Sequence, residues 1–243
     1  MPARERGGAP ARAEPFAALA MPDPAFVHAA FASIAARYVT ANHVLSLGTD
    51  VLWRRRALQI IAEWSPRNLL DIATGTGDLA LAVLRAFPET EVLGTDFCRP
   101  MLDVAVKRGL SRVLEADALH LPLPDHSYDA ATVAFGLRNM ADYEAALREF
   151  RRILRPGGHL LVLDFSMPEG ILAPPYRFYL HHILPRIAGL ITGNAGAYDY
   201  LGASIEAFPR GSAFCELLQR CGYGMATALP LSGGIASIYT AEA

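Results

Sequence analysis

Asn68-Leu-Leu-Asp-Ile-Ala-Thr-Gly-Thr-Gly-Asp-Leu-Ala80 is the stretch that decides the fold of this chain. Its apolar first part predicts a short buried strand. Gly75 and Gly77 predict a tight turn, and the apolar run that begins at Leu79 predicts a helix. Because a strand, a glycine turn and a helix N-terminus form the nucleotide-binding half of a doubly wound sheet, we expect an α/β fold with a ligand site at this turn.

Two carboxylates at the turn bear on which ligand binds there. Asp71 lies in the predicted strand just before the turn, and Asp78 lies within the turn. Although Gly75-x-Gly77-x-x-Ala80 fits the dinucleotide fingerprint, a pyrophosphate would be repelled by both carboxylates, whereas the sulfonium and ammonium groups of S-adenosylmethionine would be attracted. The turn therefore favours S-adenosylmethionine over NAD, and a purely structural strand, turn and helix is the third interpretation. The candidate cofactor-binding residues at the turn are Asp71, Thr74, Gly75, Gly77 and Asp78.

Length and composition limit the class of protein. The 243 residues suffice for one domain, or one domain with an insertion, and 52% hydrophobic with 19% charged residues is typical of a compact globule. A net charge of −2 without a long basic run argues against a nucleic-acid partner. No apolar run is long enough to span a bilayer. The 3 cysteines lack metal-ligand spacing, so we expect reduced thiols in a cytoplasmic protein without a metal site.

The N-terminal part is predicted to contain a leader and two helices. Residues 1–22 are rich in Ala, Pro, Gly and Arg and lack the apolar core of a signal peptide, so we expect a disordered leader before a domain over residues 23–243. Apolar residues at helical spacing predict one helix over residues 26–38 and another over 53–64. These helices either cover a sheet edge or form a lid that also touches the ligand.

Carboxylates follow two further predicted strands. Asp96 comes after a strand over residues 91–95, at the distance from the glycine turn where such folds bind ribose hydroxyls. Asp117 follows a strand over residues 112–116 and is a candidate acceptor for the adenine amine. The alternative for Asp96 is to cap the next helix, and the alternative for Asp117 is to cap a turn.

A fourth predicted strand, residues 127–135, leads into Gly136-Leu-Arg-Asn-Met140. Ligands of open α/β sheets bind at the carboxyl ends of the strands, which is where Arg138 and Asn139 lie. The alternative for Arg138 is an ion pair with a helix acid such as Glu149. After a helix over residues 143–154, Arg155-Pro-Gly-Gly158 predicts a tight turn before a fifth strand.

The alternation of strands and helices breaks over residues 168–208. This segment is apolar and aromatic and predicts a helical insertion that selects the substrate, with plain packing against the domain as the alternative. A last helix over 212–221 and two strands joined by Ser232-Gly-Gly234 follow, which predicts a terminal hairpin. We therefore expect a seven-stranded, mostly parallel, Rossmann-like sheet of the class I methyltransferase type, with an antiparallel last strand.

Several motifs together carry a resemblance to a known family. They are Leu70-Asp-Ile-Ala-Thr-Gly-Thr-Gly-Asp78, Phe135-Gly-Leu-Arg-Asn139, Leu154-Arg-Pro-Gly-Gly158 with Leu163-Asp-Phe-Ser166, Leu184-Pro-Arg186 and Tyr200-Leu-x-x-Ser-Ile205. Through them the chain, from about residue 31 to its end, resembles the C-methyltransferases of ubiquinone and menaquinone biosynthesis. The resemblance implies an S-adenosylmethionine-dependent enzyme that methylates a ring carbon of demethylmenaquinol or of a polyprenyl-methoxy-benzoquinol.

The resemblance also implies roles for individual residues. Thr76, Asp96, Asp117 and Ala118 would contact S-adenosylmethionine, and Ala134, where the family often has Ser, would do so through its backbone. In the N-terminal motif of the family, this chain keeps Tyr38, Asn42, Ser46, Gly48 and Trp53 and differs at Val39, Ala41 and Asp50.

Transfer of a methyl group to a quinol ring requires in-line positioning and a group that favours the phenolate form, because a neutral aromatic carbon is a poor nucleophile. Arg138 is the candidate for stabilising the phenolate charge, and Asn139 and Tyr38 are the candidates for orienting the ring or a water molecule. The substrate partner is then a lipophilic polyprenyl quinol. The sequence leaves open a peripheral membrane contact and a homodimer, and also which quinol ring and tail length are used.

Three alternatives to this function remain at this stage. The first is an S-adenosylmethionine-dependent methyltransferase for another aromatic compound or a small metabolite. The second is an NAD-dependent oxidoreductase. The third is a protein that binds S-adenosylmethionine without catalysing a reaction.

Overall fold

The computed structural model describes residues 48–186 and 196–243, without the side chains of 196–200, and a few positions before Gly48: Ala25, His28, Ala29, Ala32 and Ser46. The predicted leader, residues 1–22, and the candidate Tyr38 lie outside the described residues. Of the helix predicted over residues 26–38, three positions are described, and all three are helical: His28, Ala29 and Ala32.

The described residues form a seven-stranded sheet with the order β3-β2-β1-β4-β5-β7-β6. Strands β1 to β5 run parallel to one another, and β7 is antiparallel to both β5 and β6. The predicted fold class is therefore confirmed, including the antiparallel last strand. The strands are β1 Asn68–Ile72, β2 Glu91–Asp96, β3 Val113–Glu115, β4 Tyr128–Ala134, β5 Leu154–Phe165, β6 Gly224–Leu231 and β7 Ala236–Glu242.

The central strands are apolar because both of their faces are covered, as parallel sheets require. Leu69, Leu70 and Ile72 of β1 are fully buried, and Leu69 and Leu70 belong to two different core clusters on opposite faces of the sheet. The two faces of β1 thus tie both layers of helices to the sheet.

Seven α-helices are found within the described residues. They are α1 Thr49–Trp64, α2 Asp78–Ala86, α3 Arg99–Lys107, α4 Tyr143–Ile153, α5 Ala173–Phe178, α6 Gly196–Ala207 and α7 Ser212–Arg220. Helix α4 shows why these segments are helical: it buries Ala146, Leu147, Phe150 and Ile153 along one face. The Asp142 side chain accepts the Ala145 N–H at its start.

The tight turn predicted at residues 155–158 is part of a longer strand. Strand β5 already pairs with β4 at Leu154, and the register then shifts, because Tyr128 faces Leu154 whereas Ala130 faces His159. Residues 155–158 thus form an extended bulge. Pro156 has no N–H for the ladder, and Gly157 adopts a φ of 77°.

The order of the strands defines where a ligand can bind. From β1 the chain moves outward through β2 to β3, then returns to β4 on the other side of β1 and continues to β5. The loops after β1 and β4 therefore diverge and leave a crevice at the carboxyl edge of the sheet.

The predicted insertion is helical where the structure describes it. A 3-10 turn at Gly170–Leu172 precedes α5, a π-helical turn at Tyr179–Ile183 follows it, and α6 closes the segment. Met167, Leu180, Leu184 and Ile205 form a small buried cluster, called the insertion cluster below, against which Phe165 at the end of β5 packs. Among the residues described, no helix combines the length and the apolar character that crossing a bilayer requires.

Candidate functional site

A cavity of about 270 Å³ occupies the crevice at the carboxyl ends of β1 to β4. Predicted site residues on its wall are Gly75, Asp96, Asp117, Ala118, Ala134 and Asn139. Leu119, which the sequence predicts to form an apolar wall beside Asp117, also lines the cavity, and so do Phe97, Met101, Phe135 and Met140, for which the sequence offered no such role. The cavity thus combines an apolar lining with a few polar groups, as small-molecule sites do.

The glycine turn holds its shape through Asp96. Gly75 and Gly77 adopt positive φ angles of 55° and 81°, which glycine reaches without strain. The Gly75 N–H donates to Oδ2 of Asp96 at 2.8 Å, and the Cys98 N–H donates to Oδ1 at 2.9 Å. Burial raises the pKa of Asp96, and these N–H donors only partly offset that effect. Each carboxylate oxygen has a second lone pair, so Asp96 can support the backbone and still accept ribose hydroxyls.

Asp71 lies behind the turn rather than on the cavity wall. Its Oδ1 accepts the Thr132 hydroxyl and its Oδ2 accepts the Thr74 hydroxyl, both at 2.6 Å. The side chain is buried, and burial raises its pKa from 3.8 to about 6 against the effect of those two hydrogen bonds. Asp71 and Thr74 therefore tie β1, β4 and the turn together.

Asp78 is paired with a cation. Its carboxylate lies 2.7 Å from Nη2 of Arg108, which follows α3, and Nη1 of the same arginine donates to the Thr76 carbonyl at 2.7 Å. Thr76 is buried beside it and Gly77 caps α2, so these residues brace the turn from behind. The negative charge that borders the cavity comes from Asp96 and Asp117 instead of the two carboxylates on which the sequence argument relied.

Asp117 lies at the rim of the cavity next to Ala118. Its Oδ1 accepts the Leu119 N–H at 2.9 Å, so the turn-capping alternative is realised. Its side chain is 62% exposed, which leaves Oδ2 accessible from the cavity mouth. Phe97, Met101 and Leu119 give this part of the cavity an apolar lining next to Asp117, which is compatible with an adenine ring.

Arg138 and Asn139 meet at one carbonyl group. Nη1 of Arg138 donates to the Phe135 carbonyl at 2.7 Å, and Nδ2 of Asn139 donates to the same oxygen at 3.3 Å. Asn139 lines the cavity, whereas Arg138 lies beside it, buried against the ring of Phe165 with 5.2 Å between its Cζ atom and the ring centroid. Two of the three predicted catalytic residues are therefore adjacent in the turn that follows β4.

The ion-pair partner of Arg138 is Asp164, so the alternative partner Glu149 is wrong. Nη1 of Arg138 lies 2.5 Å from Oδ1 of Asp164 on β5, and both side chains are buried. Glu149 is bound by Arg152 at 2.7 Å and accepts the Leu121 N–H. Asp164 belongs to the motif Leu163-Asp-Phe-Ser166. Its pairing with Arg138 could not be predicted from the sequence, because 26 residues separate the two.

The residues that line the cavity are compatible with S-adenosylmethionine. Its apolar wall suits the adenine, Asp96 can accept two vicinal hydroxyls, and small residues line the part near the turn. The space is narrow at Gly136, where an added Cβ would lie 2.6 Å from the Ala73 Cβ. In the part of the chain that the structure describes, no three His, Cys, Asp or Glu side chains are grouped as metal ligands.

Comparisons with known proteins identify a family and relatives of this chain. The model of the ubiE/COQ5 methyltransferase family matches residues 20–242. A demethylmenaquinone methyltransferase of Thermus thermophilus is 48% identical over 218 residues, which cover 87% of this chain and 99% of that protein. A ubiquinone/menaquinone biosynthesis C-methyltransferase UbiE of Syntrophotalea carbinolica is 44% identical over 216 residues, covering 86% of this chain and 91% of that protein.

Solved structures share the fold at low identity. A SAM-dependent methyltransferase from Aquifex aeolicus matches with a TM-score of 0.55 and 18% identity, covering 76% of this chain and 87% of that one. The [4+2]-cyclase SpnF matches with a TM-score of 0.57 and 19% identity, covering 92% of this chain and 97% of that one. Since a cyclase and a methyltransferase share this fold, the structural likeness supports the architecture, and the reaction must be argued from the site.

Proposed function

Because the chain belongs to the ubiE/COQ5 methyltransferase family, we propose that it methylates a ring carbon of a polyprenyl quinol in quinone biosynthesis. The protein is an S-adenosylmethionine-dependent methyltransferase. Demethylmenaquinol is the first candidate substrate, since the relative with 48% identity bears the name demethylmenaquinone methyltransferase. A polyprenyl-methoxy-benzoquinol is the second, since the relative with 44% identity is named for both ubiquinone and menaquinone biosynthesis.

The proposed cofactor contacts follow the cavity wall. Asp96 accepts the ribose hydroxyls, Asp117 accepts the adenine amine, and Ala118 and Ala134 contribute backbone or van der Waals contacts. Gly75 allows the close approach of the amino-acid portion. Asp71, Thr74, Thr76 and Asp78 are expected to act mainly by holding the turn, since their side chains are engaged with one another, with Thr132 or with Arg108. Gly77 is expected to hold the turn through its backbone, which adopts a positive φ at the start of α2.

The observation that carries the proposed chemistry is the buried Arg138 beside Asn139 at the cavity edge. When bound, S-adenosylmethionine supplies an electrophilic methyl group. The ring carbon gains that methyl group and releases its proton, and the quinol hydroxyl beside it must carry negative charge to make the carbon nucleophilic. Arg138 stabilises this charge, and Asn139 orients the ring. Tyr38 remains a predicted orienting residue outside the described part of the chain.

The insertion is proposed to serve the lipophilic part of the substrate. Ile171 and Phe178 are seven residues apart, so they lie on one face of this helical stretch, and they are 90% and 58% exposed. Exposed apolar side chains on a helix are typical of peripheral membrane contacts. We propose that this face contacts the membrane that holds the quinol, while the insertion cluster lies beneath it, next to Phe165 and Arg138.

One experiment tests the function directly. The purified protein is incubated with methyl-labelled S-adenosylmethionine and each reduced demethylated quinol, and the lipid extract is examined for label. We expect label in the quinol fraction for the wild type and a strong loss for Arg138→Ala. Label in a short aromatic analogue but in neither quinol would favour another aromatic substrate. Binding of S-adenosylmethionine without any labelled product would favour the non-catalytic alternative, and binding of NADH in its place would favour the oxidoreductase.

We likewise propose that the chain forms a homodimer. Sedimentation velocity at micromolar concentration measures it: a single species near the mass of 26.2 kDa would contradict a stable dimer.

A further inference from the structure

Arg138 makes two hydrogen bonds through one nitrogen and leaves another nitrogen without a partner. Its Nη1 donates both to the Phe135 carbonyl and to Oδ1 of Asp164. In contrast, Nε is fully buried and has no hydrogen-bond partner within the part of the chain that the structure describes. A buried N–H without a partner is costly, so it calls for an explanation, such as a role in catalysis. The unused donor indicates that contacts within the described residues do not account for every hydrogen bond of Arg138.

Asp164 is a buried carboxylate whose position is fixed by the sheet. It lies in β5 opposite Ser237 of β7, its side chain is 1% exposed, and its Oδ1 also accepts the Phe165 N–H at 2.8 Å. Burial raises the pKa of Asp164, while the Arg138 guanidinium opposes this effect. A carboxylate fixed in this way defines where Nη1 of Arg138 must lie.

Aromatic side chains pack against one face of the Arg138 guanidinium and limit its movement. Phe165 lies under Arg138, and its ring centroid is 4.7 Å from that of Phe135 and 6.0 Å from that of Trp53. Trp53 is itself held by a hydrogen bond from Nε1 to the Ser232 hydroxyl at 2.8 Å. With Nη1 anchored and one face packed, the remaining freedom of the guanidinium is small, and the direction of its Nε–H bond is fixed.

We propose that Asp164 is a positioning residue that holds the Arg138 guanidinium where it can stabilise negative charge on an oxygen of the aromatic substrate. This inference rests on the proposed quinol substrate. Asp164 does not touch the substrate; it acts through Arg138. Without the carboxylate, Arg138 becomes an unpaired buried charge, and its side chain turns towards water and loses the geometry that stabilises a phenolate.

The first test is a double-mutant cycle with Asp164→Asn and Arg138→Ala. The Asp164→Asn substitution keeps the shape of the side chain, and the new amide oxygen can still accept the Phe165 N–H, but the charge is lost. We expect kcat with the reduced quinol to fall by about 10²-fold in Asp164→Asn, while the Kd of S-adenosylmethionine measured by calorimetry stays within about twofold. In the Arg138→Ala background, Asp164→Asn should lower kcat no further. If the two losses multiply, Asp164 does not act through Arg138.

A matched control uses a second Asp–Arg pair, which joins β4 directly to β5. Asp129 on β4 pairs with Arg155 on β5 at the opposite end of the same two strands. Asp129→Asn should therefore leave kcat within about twofold of the wild type. A loss as large as that of Asp164→Asn would show a general effect of strand-end charges and overturn the proposal.

Asp164→Glu keeps the test decisive if Asp164→Asn does not fold. The longer side chain retains the carboxylate but displaces the guanidinium, so kcat should fall in the wild-type background and remain unchanged in the Arg138→Ala background. An equal loss in both backgrounds would contradict the positioning role.

A spectroscopic readout is independent of turnover. In protein with ¹⁵N-labelled arginine, the Nε–H resonance of Arg138, assigned by its loss in Arg138→Lys, should shift on addition of the reduced quinol in the wild type but not in Asp164→Asn. A wild type that methylates the quinol without any such shift would contradict this inference alone. A wild type that methylates neither quinol would contradict the proposed function instead.

Discussion

A carboxylate at a strand end can serve the backbone and a ligand together, and Asp96 is placed to do both. Of the two alternatives that spacing left open for it, helix capping is wrong, because Cys98 is the N-cap of α3 and no side chain caps that helix. Instead, the two oxygens of Asp96 receive the Gly75 and Cys98 N–H groups and border the cavity, where ribose binding stays a prediction. Sequence spacing placed Asp96 at the end of β2, where the structure has it. What it could not give was the burial, which depends on neighbours distant in the chain.

Asp96→Ala is expected to weaken binding of S-adenosylmethionine by at least about tenfold, since two hydroxyl acceptors and the support of the turn are lost. Calorimetry at several pH values separates the two causes. Because burial raises the pKa of Asp96, the wild-type affinity should decline as the pH falls through that raised value, whereas the variant should show no such decline. An unchanged Kd in Asp96→Ala would remove the ribose role.

Arg138→Ala addresses the chemistry rather than the cofactor. The side chain lies beside the cavity and not on its wall, so the Kd of S-adenosylmethionine should stay near that of the wild type. We expect kcat to fall by about 10²-fold or more, because one charged donor to a developing oxyanion is lost. Arg138→Lys serves as a control: it keeps the charge but not the planar fork, so it should recover only part of the rate. Wild-type turnover in Arg138→Ala would place Arg138 outside the chemistry.

At the scale of elements, the backbone of the β1–turn–α2 unit can be predicted from local sequence. The ion pairs of its carboxylates cannot. Gly75 and Gly77 predicted the positive φ angles because few other residues tolerate them. The pairing of Asp78 with Arg108 joins two residues that lie on different helical segments, which no local pattern reveals. The sequence argument predicted the right cofactor class from the negative charges at the turn. It did not include Arg108, which pairs with one of those charges.

The contact of β1 with β4 through Asp71 predicts a pH dependence of stability. Asp71 has a folded-state pKa of about 6 against an ordinary value of 3.8, so the folded state binds this proton more tightly. Its contribution to the free energy of unfolding is highest below about pH 4, declines as the pH rises and is constant above about pH 6, a total change of about 3 kcal/mol. Asp71→Asn should remove this decline in urea unfolding measured from about pH 4 to pH 7. If the difference in the free energy of unfolding between the wild type and Asp71→Asn does not depend on pH, the effect of burial on the Asp71 pKa is contradicted.

The close approach of the loops after β1 and β4 can be tested at Gly136. An added Cβ would lie 2.6 Å from the Ala73 Cβ, so Gly136→Ala must displace one loop at the cavity. We expect a loss of about 1–3 kcal/mol in the free energy of unfolding and weaker binding of S-adenosylmethionine. Gly202→Ala in α6 is the matched control, because its added Cβ would meet its nearest neighbour at 3.5 Å, an ordinary contact. Equal behaviour of the two variants would argue against a tight crevice.

For the whole molecule, the strand and helix order was predictable and the sheet order only in part. Periodicity and turn signals located the seven strands, and the terminal hairpin predicted that β6 and β7 pair. That β7, rather than β6, lies next to β5 is a long-range choice, since Ile238 of β7 packs with Leu161 and Leu163 of β5 in one core cluster. The insertion was visible as a break in the pattern, but its exposed face emerged only from the packing.

The exposed apolar side chains of the insertion predict which side of the molecule would meet a membrane in the proposed contact. Ile171 and Phe178 lie on the insertion that follows β5, at the carboxyl edge of the sheet, whereas Met225, 81% exposed, lies at the opposite edge near the start of β6.

If the insertion face inserts into lipid, replacing Ile171 and Phe178 by Ser removes buried apolar area and should lower co-flotation with phospholipid vesicles by at least about tenfold. The KM for a long-tailed quinol should rise, while kcat with a short-tailed analogue should remain unchanged, because the cavity is untouched. Met225→Ser, of matched polarity change, should alter neither quantity. Equal flotation of both variants would show that lipid contact, if present, does not involve this face.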